Sequence, residues 1–202
     1  MSHKVSLAVD HRPLQHLIIS TGNEAGGHGG GSAPSTALLV TGVLAALPNG
    51  PPIVAAGGIA TGAQVASVLA LGASGALLGT RLLFTTECGY TPEQKELLKQ
   101  AKLGSTKRGM CFDEVNRTLG WPAGVDGQAL ATGIWTDFEE GLSVEERQNL
   151  YDAGKASGNT ERLLVWAGAG AGLTHEFKSA AEVLKDVHEE TVRGLQRACA
   201  ML

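Results

Sequence analysis

Three short apolar runs, two ending in glycines and one with an internal Gly-Thr, constrain this chain most. "HLIIST" (16–21) runs straight into "GNEAGGHGGG" (22–31). "PPIVAAGG" (51–58) ends on Gly57 and Gly58, and "GALLGTRLLF" (75–84) carries Gly79-Thr80 inside it. Runs this short and this uniformly apolar read as strands buried on both faces. Helical patterns separate them. "TALLVTGVLAAL" follows Ser35 and stops at Pro48-Asn49-Gly50, and Thr61 can cap "GAQVASVLALG", which stops at Gly72. Strand, helix, strand, helix, strand with short connections is βαβ repetition, and it predicts an α/β fold with a parallel sheet. Ligands in such folds bind at the carboxyl ends of the strands. All three glycine clusters stand there, so they are expected to line one pocket rather than to form loose loops.

Composition narrows the function. The chain has 202 residues, 43% hydrophobic and 18% charged, enough for a sizeable core. Its net charge is −4 and no basic stripe occurs, which speaks against a nucleic-acid partner. No apolar run reaches the roughly 18 residues of a membrane span, and "MSHKVSLAVDHRPLQHL" lacks the apolar centre of a secretory signal. Cys88, Cys111 and Cys199 are odd in number and far apart, which fits a reducing, cytoplasmic setting better than a disulfide framework. Cys199-Ala-Met-Leu202 formally matches a prenylation signal. The competing reading is the last turn of an amphipathic helix, and no polybasic stretch precedes it.

The remainder reads as mostly helical. Thr91 with Pro92 and Gln94 looks like a capped start for "PEQKELLKQAKL". Ser143 with Glu146 and Ser179 with Glu182 are capping boxes. A last helix from Ala180 spaces Leu184, Val187, Thr191, Leu195 and Ala198 along one face to bury. Residues 104–140 show no period and are expected to be irregular. "RLLVWAGAGAG" (162–172) reads as a further strand or an extended stretch with a glycine turn. The expected organisation is residues 1–90 as the βα units carrying the ligand loops, and residues 91–202 as a mostly helical extension packing on the same domain.

The clusters suggest chemistry. Gly57, Gly58 and Gly79 let backbone N–H groups approach a phosphate, Thr80 adds a hydroxyl, and Arg81 adds charge if it points inward. The competing reading is that these glycines only permit tight turns. No G-x-G-x-x-G or G-x-x-x-x-G-K-[ST] occurs, so neither a dinucleotide nor a Walker reading has support. His28 can accept or donate a proton near neutral pH, and its place at a strand exit favours a general base. It has no second histidine or cysteine at metal-ligand spacing, so a metal is not expected, and there is no G-x-S-x-G elbow. Glu24 either fixes the loop through backbone N–H groups or orients the histidine. His3, His11, His16, His175 and His188 read as surface or interface residues.

"GNEAGGHGG" followed by "PPIVAAGGIATGAQVASVLALGASGALLGTRLL" resembles the nitronate monooxygenase family, formerly the 2-nitropropane dioxygenases, which are FMN-dependent (β/α)₈ TIM barrels. The E-A-G-G-H loop, the A-A-G-G-I exit and the G-T-R exit come in the family's order and approximate spacing, most strongly over residues 16–87. The later "FDEVNRTLGWPAGVDG" and "VWAGAGAGL" are similar to the extension of a longer, fungal-type branch. The resemblance implies that His28 is the active-site base, taking a proton from the carbon next to a nitro group. It implies that Gly26 and Gly27 approach the flavin and that Gly57 and Gly58 lie near the FMN phosphate. It implies that Leu78, Gly79 and Thr80 close over that phosphate. Thr21 stands where many relatives have a glutamine beside the flavin. The implied reaction is oxidation of an alkyl nitronate with O₂ to a carbonyl compound and nitrite, so the expected partners are a small nitronate and O₂.

The matched runs resemble the sixth, seventh and eighth strands of the family's barrel, and strands one to five have no counterpart here. A barrel of this kind usually takes about 250 residues, and three strands leave an open edge. The expectation is the C-terminal part of a truncated enzyme. The alternatives are self-association or pairing with a missing barrel half, and a non-catalytic remnant or interaction module. A different FMN barrel, such as an enoyl reductase, is the remaining enzymatic alternative.

Overall fold

The computed structural model describes residues 16–201. In chain order the elements are β1 (Ile18–Thr21), β2 (Gly27–Gly30), α1 (Thr36–Ala46), β3 (Ile53–Ala56), α2 (Gly62–Ala70), β4 (Gly75–Leu77), α3 (Pro92–Gln100), β5 (Thr106–Gly109), α4 (Cys111–Asn116), β6 (Val125–Leu130), α5 (Gly133–Glu139), α6 (Val144–Ser157) and α7 (Ala180–Cys199). Single 3₁₀ turns occupy Thr80–Phe84, Thr160–Arg162 and Ala169–Leu173.

Two three-stranded sheets share the molecule. The first is parallel, in the order β1-β3-β4, with Ile18 opposite Ile53 and Ala56 opposite Leu77. Its crossover helices follow the capping signals. The Thr61 hydroxyl accepts from the Gln64 N–H, and the Gln64 side chain returns to the cap. Val40, Ala55, Ile59, Val68 and Ala73 form the core between sheet and helices. The fold class is therefore α/β with parallel strands and helices. The capping boxes at Thr91, Ser143 and Ser179 form as well.

The second sheet is antiparallel, in the order β2-β6-β5, and it was not expected. Residues 104–140 are not irregular: they supply β5, α4, β6 and α5. "TKRG" and "VDGQAL" are too polar and too short to announce themselves as strands. They are strands because they pair: His28 lies opposite Gly127, and Gly109 lies opposite Gly127 on the other side. "GHGG", expected as loop, becomes β2 for the same reason. Ala129 and Leu130 of β6 each enter a core, one with Phe112, Ile134 and Tyr151, the other with Phe84, Leu98 and Val165.

Other expectations change locally. The third apolar run is a strand only over Gly75–Leu77. From Thr80 it turns into a 3₁₀ turn that buries Arg81 and Phe84, three residues apart. The last helix buries Val187 and Thr191 of the expected stripe together with Val183, while Leu184 is 53% exposed and Ala198 is exposed as well. Polar contacts with α2 choose that face: the Gly62 N–H donates to Glu190 Oε2 at 2.8 Å, and the Thr191 hydroxyl donates to the Gly62 carbonyl at 3.2 Å. Residues 163–167 are extended, with one bridge from Trp166 to Ala129, and lead into the glycine turn. Among the described residues no helix is long and apolar enough to cross a membrane.

Candidate active site

The carboxyl ends of β1, β3 and β4 open into one cavity of about 500 Å³. Its wall contains Thr21, Gly26, Gly27, Gly57, Gly58, Gly79 and Thr80, together with Ile19, Ile59, Leu77, Leu83, Tyr90 and Trp166. Seven of the eight residues that the sequence nominated for a ligand thus meet at one place. Leu78 does not: its side chain packs into the helix-covered core with Val40 and Ala55. Arg81 does not point inward either. It is buried away from the cavity wall, where burial lowers its pKa against the opposing pull of Asp186 and Glu176.

The loop between β1 and β2 is held, not loose. Glu24 Oε2 accepts the Thr36 N–H at 2.7 Å, so this carboxylate caps α1 and does not orient the histidine. Gly26 lies against Gly168 so closely that a Cβ on either residue would overlap the other's backbone. The same Gly168 donates its N–H to the Thr80 hydroxyl at 2.8 Å, and Ala169 donates to the Glu24 carbonyl at 2.9 Å. The "AGAGAG" segment thereby ties the first glycine loop to the third. Arg108 completes the clamp, donating to the carbonyl of Ala25 at 2.7 Å and pairing with Asp126 at 2.9 Å.

Glycine serves the cavity in two ways. Gly57 and Gly58 have φ of 104° and 69°, conformations that L side chains rarely adopt, and they turn the chain sharply out of β3. Their N–H groups and that of Gly79 donate to no protein acceptor outside the regular elements, among the described residues. At Gly79 a Cβ would meet nothing within 4 Å. A cradle of bare backbone with free donors and an apolar wall suits a flat apolar ring system with an anionic tail. The residues present therefore fit a flavin mononucleotide.

His28 sits beside this cavity. It is not itself among the lining residues, but Gly26, Gly27 and Trp166 are, and the Trp166 ring lies 4.9 Å from the imidazole. Trp121 stacks on the imidazole at 3.8 Å and 15°. His28 Nε2 faces both oxygens of Asp113, at 2.8 and 3.0 Å. Asp113 is fully buried and also accepts the Thr118 hydroxyl at 2.7 Å. Tyr90 donates to the Trp166 carbonyl at 2.9 Å, and burial raises its phenol above the ordinary value, so it stays protonated and engaged.

Sequence reasoning missed Asp113, Trp121, Trp166, Tyr90 and Arg108. Asp113 lies 85 residues from its partner, and no spacing rule joins positions across sheets. The one available signal was a single tryptophan set among glycines in each of "GWPAG" and "VWAGAG". His16, His175 and His188 are exposed, while His3 and His11 lie outside the described residues.

A ligand cavity at the carboxyl ends of parallel strands, with a histidine at its margin, defines an α/β enzyme site. Comparison with known proteins gives the family. Residues 14–190 match the family described as nitronate monooxygenase, and the chain belongs to it. That family consists of flavin-dependent oxidoreductases. The chain is 31% identical over 199 residues to nitronate monooxygenase npaC of Metarhizium robertsii, covering 94% of this chain and 56% of that protein. It is 29% identical to a nitronate monooxygenase of Neurospora crassa, covering 90% and 50%. Among solved structures, FabK of Thermotoga maritima superposes with a TM-score of 0.71 at 26% identity, covering 93% of this chain and 58% of that one. Nitroalkane oxidase of Streptomyces ansochromogenes gives 0.72 at 24%, a likeness of fold. The chain spans about half the length of the curated relatives it matches.

Proposed function

We propose that this chain holds FMN in the 500 Å³ cavity and takes part in the oxidation of alkyl nitronates by O₂ to a carbonyl compound and nitrite. One observation carries the reading: three glycine-rich strand exits, separated in sequence, meet around a single apolar cavity with His28 at its edge. The backbone of Gly57, Gly58, Gly79 and Thr80 would hold the phosphate end, and Thr21, Gly26 and Gly27 would lie along the ring. FMN, when bound, supplies the electron acceptor and the chemistry with O₂.

The remaining work falls to the chain's own residues. Ile59, Leu83 and Trp166 give the cavity an apolar wall against which the substrate and ring would lie. A nitronate is already anionic, but a neutral nitroalkane must first lose the proton on the carbon beside the nitro group. His28 is the base that takes it. The part of the first unit within residues 16–90 would supply the cradle, and the second unit would supply Trp121, Trp166 and the strand opposite His28. The parallel sheet corresponds to about strands six to eight of a (β/α)₈ wall. Ile19 and Leu77, 50% and 44% exposed on its two outer strands, are the positions that neighbouring strands would cover.

The test is nitronate and nitroalkane turnover by the FMN-loaded protein and by His28→Ala. The expected result is flavin retained and nitroalkane turnover lowered about 10²–10⁴-fold, the usual worth of a general base. Unchanged turnover removes His28 from the role. NAD(P)H oxidation measured alongside separates this reading from that of an enoyl reductase. A flavin-free oligomer in light scattering would favour a non-catalytic module.

A further inference from the structure

We infer that Asp113 is a positioning residue that keeps a proton on His28 Nε2 and leaves Nδ1 as the imidazole's basic atom. The inference deepens the reading of His28 as base, and its functional consequence rests on that reading. A fully buried carboxylate needs donors around it, and Asp113 has two: the Thr118 hydroxyl at 2.7 Å and His28 Nε2 at 2.8 Å. An ionised carboxylate only accepts, so the proton between the two groups belongs to the imidazole. Neutral or charged, His28 therefore carries hydrogen on Nε2. Nδ1 has no hydrogen-bond partner among the described residues and is the nitrogen free to exchange a proton with a ligand.

The surroundings keep the ring from turning over. Trp121 covers one face at 3.8 Å, and the Trp166 ring lies 4.9 Å away at a 51° tilt. A flip of the imidazole would move Nε2 away from Asp113 and leave a buried carboxylate short of a donor, which is costly. Asp113 thus fixes tautomer and orientation together, while touching neither cavity nor ligand.

The experiment is ¹⁵N–¹H NMR of the histidine ring in the full chain, with the His28 signals assigned by their loss in His28→Gln. The expected spectrum of neutral wild-type His28 shows Nε2 protonated and Nδ1 bare. Asp113→Asn presents an amide that can donate to Nε2, so it should invert this pattern. With FMN loaded it should also lower nitroalkane turnover about 10²-fold or more while leaving turnover of preformed nitronate within about 3-fold, because only the former needs the base. A wild-type spectrum with Nδ1 protonated overturns the inference whatever the variant does. If Asp113→Asn does not fold, Thr118→Val, which weakens only the carboxylate's second contact, should keep the wild-type tautomer; loss of it would contradict the assignment. The two readings fail separately. Full turnover in His28→Ala removes the base but leaves the tautomer standing, and a wrong tautomer leaves the His28→Ala result standing.

Discussion

The two sheets differ in how their residues find each other. The parallel sheet is assembled from neighbours: β1, β3 and β4 lie within 60 residues, joined by capped helices and short glycine turns. The antiparallel sheet is assembled from strangers, with His28 opposite Gly127 and Arg108 reaching back to Ala25. The first holds the cradle and the second presents the histidine. Local signals can build a cavity, but the place of the His28 imidazole beside it is set by long-range pairing.

Perturbing each sheet separates these roles. The largest effect is expected from Phe112→Ala, which empties a fully buried site under the antiparallel sheet, between α4 and β6. It should cost about 3–5 kcal/mol in denaturant unfolding, with amide protection lost first in β5 and β6. Equal loss in β3 would mean that the sheets do not differ in this way. Gly26→Val comes next, because its Cβ would overlap the backbone of Ala167 and Gly168, and neither can move as a side chain can. A loss of about 2–3 kcal/mol is expected, read as a lowered Tm with weaker FMN binding.

Cys111 gives a pH signature of the same core. Burial pushes its thiol from 9.0 up to about 11. The unfolded chain releases this proton near pH 9, whereas the folded protein keeps it until about pH 11. The stabilising contribution is therefore complete below pH 9 and is lost as pH rises to 11, by at most about 3 kcal/mol. The stability gap between wild type and Cys111→Ala should narrow over that window; a constant gap would contradict the assignment. The smallest effect is expected in the parallel sheet's own punctuation. Thr61→Ala removes the cap of α2 and should cost about 1 kcal/mol in thermal unfolding, with the antiparallel sheet unaffected.

This contrast also sets how much the sequence could reveal. The βα units, their caps and the convergence of three glycine exits were readable because each signal lies within a few residues of what it specifies. Thr61 meets Gln64, and Gly57 follows its own strand. The antiparallel sheet was not readable. "GHGG" is among the poorest strand-forming segments, and Asp113 has nothing nearby to mark it as the partner of His28. Glu24, the nearest carboxylate in sequence, was the natural candidate for orienting the histidine, yet it caps α1. The last helix shows the same limit on a small scale. Its spacing marked Val187 and Thr191 on the buried face, but Val183 takes the place expected of Leu184, where contacts with Gly62 on α2 set the helix rotation.

The most direct test of the cavity is an FMN titration, followed by flavin fluorescence, of wild type and Gly79→Leu. Gly79 is on the cavity wall, and a Cβ added there meets no protein atom within 4 Å. The account predicts that wild type binds FMN, and that Gly79→Leu keeps its Tm but loses binding at least about 10-fold. Failure of wild type to bind FMN, or unchanged binding by Gly79→Leu, would contradict it.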